Sequence, residues 1–187
     1  MSEAAPRPRY VIDVRISRFT IQAFAGGMLS ALGHSPKFAA RDFDGQVVFD
    51  PEAPEEAGLS FHLRAASLTL MDDVSERDRE TILRTMHDDV LETERFPNIA
   101  YECPRAVPSA VAPGQLSVTL EGELTLHGVT RVQPITAKLN ATGTTLRAFG
   151  EFTVRQSDYD IKQVTVAGSM LKVKDELKCT FDIVARR

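Results

Sequence analysis

The stretch LSVTLEGELTLH, residues 116–127, alternates apolar and polar side chains along almost its whole length. Its even positions carry apolar residues and one glycine, Gly122, while its odd positions are polar up to His127. A period of two is typical of a β-strand with one buried and one solvated face. These residues would extend about 40 Å at roughly 3.3 Å per residue, which exceeds a usual strand of about 5 to 6 residues. We therefore expect a long, half-buried antiparallel strand.

The same alternation recurs through the rest of the chain. Its apolar members are Phe19, Ile21, Ala23, Val47, Phe49, Leu59, Phe61, Leu63, Ala65, Ile135, Ala137, Leu139, Leu146, Ala148, Phe152, Val154, Leu177, Cys179, Phe181 and Ile183. With two weaker segments this predicts about eight or nine strands and an all-β, antiparallel fold. Long strands favour closure into a barrel, because closure removes exposed sheet edges. The small inward residues Gly122, Ala137, Ala148 and Gly150 favour an interior with a cavity over a filled one.

One segment predicts a helix instead. From Ser75 to Leu91 the spacing of apolar residues has helical periodicity, with Ser75 as N-cap and Asp78 three residues later. We expect this single amphipathic helix to pack on the barrel in the ordinary way. The alternative is that Ile82, Leu83 and Met86 complete the wall of a cavity.

Composition limits the classes of function. The chain has 187 residues, 43% of them hydrophobic, and a formal charge of −4 without a long basic run, which argues against nucleic acid as a partner. No apolar stretch approaches about 18 residues, so we expect no stable membrane insertion. The start of the sequence lacks a signal-peptide pattern, and we expect a cytoplasmic protein. We interpret residues 1–9 as a flexible tail and residues 10–187 as one domain, with Cys103 and Cys179 as reduced, packed thiols.

The histidines show no spacing that indicates a metal or catalytic site. We expect His127 to end its strand on the polar face and to bond a backbone group at the turn, with Gly128 as a left-handed turn residue. His34, in a loop between Gly33 and Pro36, is equally compatible with a turn and with the mouth of a cavity. The sequence therefore predicts no catalytic residues, no metal ligands and no cofactor.

Several stretches together resemble the YceI-like family of lipid-binding proteins. They are Arg77 with Asp78, RFPNIAYE (95–102), GELTLHGVTR (122–131) and RQSDYDIK (155–162). The resemblance implies a lipocalin-like, extended eight-stranded antiparallel barrel with one helix, whose apolar cavity holds a polyisoprenoid, a quinone or a related long-chain amphiphile. It also implies a homodimer and no shared catalytic apparatus. The family often has glycine where Asp160 stands.

We predict that the ligand-binding residues are those that alternation and aromatic content place inside, together with His34. They are Phe19, Ile21, His34, Phe49, Phe61, Leu63, Leu120, Leu124, Ile135, Phe152 and Phe181. A head group would need polar partners at the mouth, for which His34, Arg77 and Tyr159 are candidates.

Three functions remain open at this point. The first is non-catalytic binding, sequestration or transport of a long-chain lipid or isoprenoid, including fatty-acid derivatives. The second is an enzyme acting on an apolar substrate, which requires His34 and a carboxylate to meet inside the cavity. The third is a filled barrel that serves as a protein-interaction module.

Overall fold

The computed structural model describes residues 7–26, 35–110, 116–166 and 171–187. Most of them lie in antiparallel strands. The strands are β1 (Arg9–Ile12), β2 (Arg18–Gln22), β3 (Ala25–Gly26), β4 (Lys37–Ala39), β5 (Phe43–Val48), β6 (Gly58–Arg64), β7 (Thr69–Leu70), β8 (Asn98–Cys103), β9 (Ala106–Ala110), β10 (Leu116–Leu126), β11 (Val129–Thr142), β12 (Thr145–Arg155), β13 (Thr165–Val166), β14 (Leu171–Val173) and β15 (Glu176–Arg186). The α-helix α1 spans Glu76–Arg84.

Eight of these strands form a closed antiparallel barrel. The order around the ring is β1, β5, β6, β8, β10, β11, β12 and β15, and the pairing of β1 with β15 closes it. A side sheet of β2, β4 and β7 continues from β15, and β9 extends β8 along β10. The predicted eight-stranded barrel with one principal helix is confirmed.

The long strand predicted from alternation is β10. It pairs with β11 along its whole length, from Leu116 opposite Leu139 to Leu126 opposite Val129. Val118, Gly122, Leu124 and Leu126 are buried, whereas Glu121 and Glu123 are exposed. The strand therefore has the expected apolar inner face and polar outer face.

The connection between β10 and β11 corrects one prediction about His127. This residue is not the last of the strand: His127 and Gly128 form the two-residue turn, with φ of 51° and 75°. Two successive positive φ values match the type I′ turn, whose twist suits a hairpin. His127 therefore belongs to the turn and not to the polar face of β10.

We expected Gly122 to leave space for a cavity inside the barrel, but the space beside it is occupied. The Tyr101 ring occupies it: a Cβ on Gly122 would lie 2.6 Å from Tyr101 Cζ. Tyr101 Oη accepts the N–H of Gly122 at 3.1 Å and lies 2.9 Å from the carbonyl oxygen of Gln133. At Gly150 the Phe181 ring fills the corresponding position, with Cζ 2.9 Å from such a Cβ.

The helix begins at the predicted cap. Ser75 Oγ accepts the N–H of Asp78 at 3.2 Å, which satisfies one of the free donors of the first turn. After Arg84 the chain continues as a wider π-helical turn, Thr85–Val90. Arg79 ties the helix to the side sheet, since its guanidinium donates to the carbonyl oxygens of Leu70 at 2.9 Å and Asp72 at 2.8 Å.

Residues 7–9, predicted to belong to the flexible tail, contact the barrel. Strand β1 starts at Arg9, the carbonyl oxygen of Pro8 accepts the N–H of Phe49 at 3.1 Å, and Arg7 pairs with Glu56 at 2.8 Å. The rest of the predicted N-terminal tail, residues 1–6, lies outside the described residues.

The barrel end that contains the β11–β12 turn is solidly filled. Its inward side chains are almost fully buried and pack together in the core. They are Tyr10, Phe49, Cys103, Ala106, Val118, Ala137, Leu146 and Ala185, and we call this region the packed half.

Candidate ligand-binding cavity

The other end of the barrel, next to α1, contains a cavity of about 450 Å³. Such a volume lies within the range of roughly 300–1,000 Å³ that is common for small-molecule sites. Inward side chains from several barrel strands line it. They include Leu59, Phe61 and Leu63 of β6, Leu120, Leu124 and Leu126 of β10, Phe152 and Val154 of β12, and Leu177, Cys179, Phe181 and Ile183 of β15. We call this region the hollow half.

Most of the residues predicted to face a ligand lie on this wall. They are Phe19, Ile21, Phe61, Leu63, Leu120, Leu124, Ile135, Phe152 and Phe181. Phe49 does not: it is 1% exposed and lies in the packed half, so its predicted place on the cavity wall is wrong. It shares the inward face of β5, but it follows that strand at the filled end. His34 lies outside the described residues.

Aromatic rings form a continuous band on one side of the hollow half. Phe19 stacks on Phe61 with centroids 5.6 Å apart and approaches Phe152 at 6.3 Å. Phe152 in turn lies 6.3 Å from Phe181, and Phe61 lies 5.6 Å from Phe43. Aromatic pairs at such separations stabilise one another beyond the apolar area that they bury. The band therefore gives this side of the hollow half a continuous apolar surface.

The helix contributes directly to the wall, against our expectation of ordinary packing. Ile82 of α1 lines the cavity, together with Met86, Val90 and Leu91 beyond the helix, while Leu83 packs in the neighbouring core. Ile161 and Val164, before β13, and Val173, at the end of the three-residue strand β14, were missed as well. These segments lack an alternating pattern, so strand periodicity could not assign them to the inside.

The cavity wall carries no charged side chain among the described residues. Its polar side chains there are Thr81, Thr85 and Gln156, in addition to the Tyr101 hydroxyl and the Cys179 thiol. Burial raises the pKa of Cys179 to about 12, so this thiol stays protonated at neutral pH. Burial also raises the pKa of Tyr101 well above its usual range. The wall is therefore neutral as well as apolar.

The described histidines lie away from this wall. His127 Nδ1 is 3.2 Å from the carbonyl oxygen of Tyr159, so the side chain does contact a backbone group, but that group lies in the 3-10 turn after β12 and not in the predicted place, the β10–β11 turn. Its side chain is 10% exposed and packs against the Phe96 ring, with centroids 4.3 Å apart. His62 is on the outer surface between Asp44 and Glu102, at 3.5 Å and 3.2 Å. Neither brings a histidine and a carboxylate together inside the cavity.

The two described head-group candidates are also elsewhere. Arg77 is exposed on the first turn of α1, and Tyr159 is 2% exposed in a 3-10 turn after β12; neither lines the cavity. Over the described ranges, histidine, cysteine and acidic side chains form no cluster suited to a metal ion. No helix in that part of the chain is long and apolar enough to cross a membrane.

Comparison with known proteins identifies the family. The model of the YceI-like domain matches residues 10–185. The chain belongs to the YceI-like family. A UPF0312 protein of Pseudomonas putida strain W619 is 31% identical over 133 residues, which make up 70% of this chain and 62% of that relative. A UPF0312 protein of Pseudomonas syringae pv. tomato is 32% identical over 136 residues, 72% of this chain and 63% of the relative. This YceI-like chain thus spans less than two thirds of the curated relatives that it matches.

Solved structures share the barrel. A polyisoprenoid binding domain from Saccharophagus degradans, implicated in plant cell wall breakdown, superposes with a TM-score of 0.68 at 13% identity, over 97% of this chain and 99% of that one. BcnA of Burkholderia cenocepacia gives a TM-score of 0.67 at 18% identity, over 92% and 98%. At such identities the likeness shows the YceI-like fold alone.

One departure from the pattern that the resemblance implies lies at Asp160. Asp160, where the family often has glycine, has a φ of 56°. Aspartate is among the few residues that tolerate this left-handed region. The turn that Asp160 ends therefore keeps a conformation that glycine would also adopt.

Proposed function

We propose that this YceI-like protein binds, sequesters or transports a long-chain amphiphile in the hollow half, without altering it chemically. The ligand classes are a polyisoprenoid, an isoprenoid quinone and a fatty-acid derivative. One observation carries the proposal: a cavity of about 450 Å³ whose described wall is apolar and uncharged. Such a wall recognises an aliphatic chain, because it offers an ion nothing to pair with.

The energetics favour long chains. Each buried methylene contributes about 0.8 kcal/mol, so a chain of roughly 15 carbons gives about 12 kcal/mol before costs. Association costs an estimated 4–15 kcal/mol, which a chain of eight carbons would barely offset. The ligand is therefore a long chain that occupies most of the cavity.

The family supports the same proposal. The domain from Saccharophagus degradans is described as polyisoprenoid binding, and its fold matches this chain over nearly the full length of both. Because identity is 13%, its ligand class is carried to this protein as a hypothesis.

Native mass spectrometry of the protein purified from cells, followed by organic extraction, tests the proposal. We expect a lipid-sized adduct that organic solvent releases. Leu124→Arg, which places a charge at the cavity wall, should abolish the adduct. The matched control is Val132→Arg, since Val132 lies on the neighbouring strand with 69% of its surface exposed, and it should keep the adduct.

Thermal unfolding must show that the variants are folded. Should Leu124→Arg fail to fold, Val154→Phe adds apolar volume at the inward face of β12 instead and should reduce lipid uptake. A bare mass for the gently purified wild type, or unchanged uptake in a folded Leu124→Arg variant, contradicts the proposal.

A further inference from the structure

Gln156 is a buried polar side chain in an otherwise apolar wall. It is 3% exposed and lines the cavity, just after β12 ends. Its Nε2 donates to the carbonyl oxygen of Lys174 at 2.9 Å and lies 3.5 Å from that of Asp175. Because both neighbours only accept hydrogen bonds, the atom that faces them is the amide nitrogen and not the oxygen.

The main chain of Gln156 is satisfied as well. Its N–H donates to the carbonyl oxygen of Asp175 at 2.9 Å, and its own carbonyl accepts the N–H of Ile161 at 3.1 Å. The side-chain Oε1, in contrast, accepts no hydrogen bond from any residue within the described ranges. The buried side-chain atoms that have neither a hydrogen-bond partner nor accessible surface are His87 Nδ1 and His127 Nε2 in the described part of the chain. Gln156 Oε1 is not one of them, so it keeps some accessible surface. Since the residue borders the cavity and is otherwise buried, that surface faces the cavity.

A lone acceptor in an apolar wall discriminates between head groups. A hydroxyl or amide N–H donates to it, and the bond gains strength from the low local polarity. The carbonyl oxygens of a quinone can only accept hydrogen bonds, so they form none with Oε1 of Gln156. A carboxylate or phosphate would also lose its hydration without meeting a cation, because the described wall has no charged side chain.

We infer that Oε1 of Gln156 selects a neutral head group with a hydrogen-bond donor, a long-chain alcohol in preference to the anion or ether of the same chain. The inference rests on the proposed function, since it concerns the same cavity. It narrows the ligand classes by the chemistry of the head group and makes Gln156 a specificity-determining residue.

Three ligands that share one C20 isoprenoid chain test this selection: geranylgeraniol, its methyl ether and its monophosphate. Affinity is measured by titration calorimetry on the lipid-free full chain. We expect the alcohol to bind about threefold to tenfold tighter than the ether, which keeps the oxygen but lacks the proton to donate. The phosphate should bind more weakly than the alcohol.

Gln156→Met removes the acceptor and keeps the length of the side chain. It should bring the alcohol-to-ether ratio close to one, chiefly by weakening the binding of the alcohol. Gln46→Met, on the exposed outer face of β5, is the matched control and should keep the wild-type ratio. Thermal unfolding checks that loss of the bond to Lys174 has not unfolded the variant, and the wild-type series decides the selection without any variant.

The outcomes separate the two proposals. If all three ligands bind equally, or the phosphate binds tightest, the head-group selection is wrong and the lipid-binding function stands. If the alcohol is preferred equally in wild type and Gln156→Met, the preference does not come from Gln156. If none of the three binds, both proposals fail.

Discussion

Along β12 the inward residue Leu146 is 2% exposed in the packed half, whereas Phe152, on the same face, lines the cavity. The same change occurs along β10 between Val118, which is 1% exposed and away from the cavity, and Leu124. One barrel with one alternation pattern is therefore solid at one end and hollow at the other. Alternation sets which face is inside, and residues from other segments decide whether that inside is filled.

Small inward side chains do not mark the cavity, contrary to our prediction. The small inward residues Gly122, Ala137, Ala148 and Gly150 all lie away from the cavity wall, although their size was the reason to predict a cavity. At the glycines, large neighbours, Tyr101 and Phe181, take up the space. The cavity itself is lined by large residues such as Phe19 and Phe61. Small inward residues thus let neighbouring rings close the interior, while large residues on the wall surround the space that remains.

The largest expected effect comes from truncating one phenylalanine in each half. Phe49→Ala should lower the free energy of unfolding by about 3–5 kcal/mol, because it opens a void in a filled core. Phe152→Ala should cost only about 1–2 kcal/mol, since its ring is half-buried and already borders a void. Chemical denaturation of both lipid-free variants measures the difference. Equal losses would mean that the hollow half packs solidly in solution.

Gly122→Ala tests how tightly Tyr101 is placed at the cavity wall. The new Cβ would lie 2.6 Å from Tyr101 Cζ and 2.7 Å from the carbonyl oxygen of Glu102, so ring and backbone must both shift. We expect a loss of about 1–3 kcal/mol in the free energy of unfolding, together with reduced lipid uptake. Gly58→Ala is the control: its Cβ would lie 3.4 Å from the nearest atom, the carbonyl oxygen of Cys103, and should change stability by less than about 0.5 kcal/mol.

Cys179 gives the hollow half a distinct response to alkaline pH. Burial raises the pKa of its thiol from 9.0 to about 12, so the folded protein keeps a proton that the unfolded chain loses above pH 9. The stabilisation that the protonated Cys179 thiol gives is fully present below pH 9 and is lost as pH rises towards 12. Over that range the free energy of unfolding falls by up to about 1.4 kcal/mol per pH unit.

Cys179→Ala should therefore flatten the alkaline decline of the unfolding free energy, measured by urea denaturation between pH 8 and pH 11. Thr180→Ala, on the exposed face of the same strand, should leave the decline as in the wild type. Tyr101 contributes to the decline in both proteins, so the comparison isolates the thiol. An unchanged slope in Cys179→Ala would show that the thiol is accessible to water.

The sequence predicts features that depend on neighbouring residues in the chain, and it does not predict features that depend on distant ones. Alternation is local, and it correctly predicted the strands, the barrel and strand residues of the wall such as Leu124 and Ile135. It could not distinguish Phe49 from Phe61, because both face inward and only the position along the barrel separates them. Gln156 was missed for a different reason: it follows the strand in a 3-10 turn, where no periodic pattern indicates burial.

The smallest expected effect concerns the helix, the part of the hollow half that is not a strand. Ser75→Ala removes the acceptor for the N–H of Asp78 and should destabilise the first turn of α1 by about 1 kcal/mol. Ser75→Thr keeps an acceptor and is the matched control. Because Ile82 and Met86 of this segment line the cavity, a frayed helix should release lipid faster while the packed half stays protected. Hydrogen exchange and lipid dissociation rates measure both effects; faster exchange throughout the barrel would show instead that the two halves unfold as one unit.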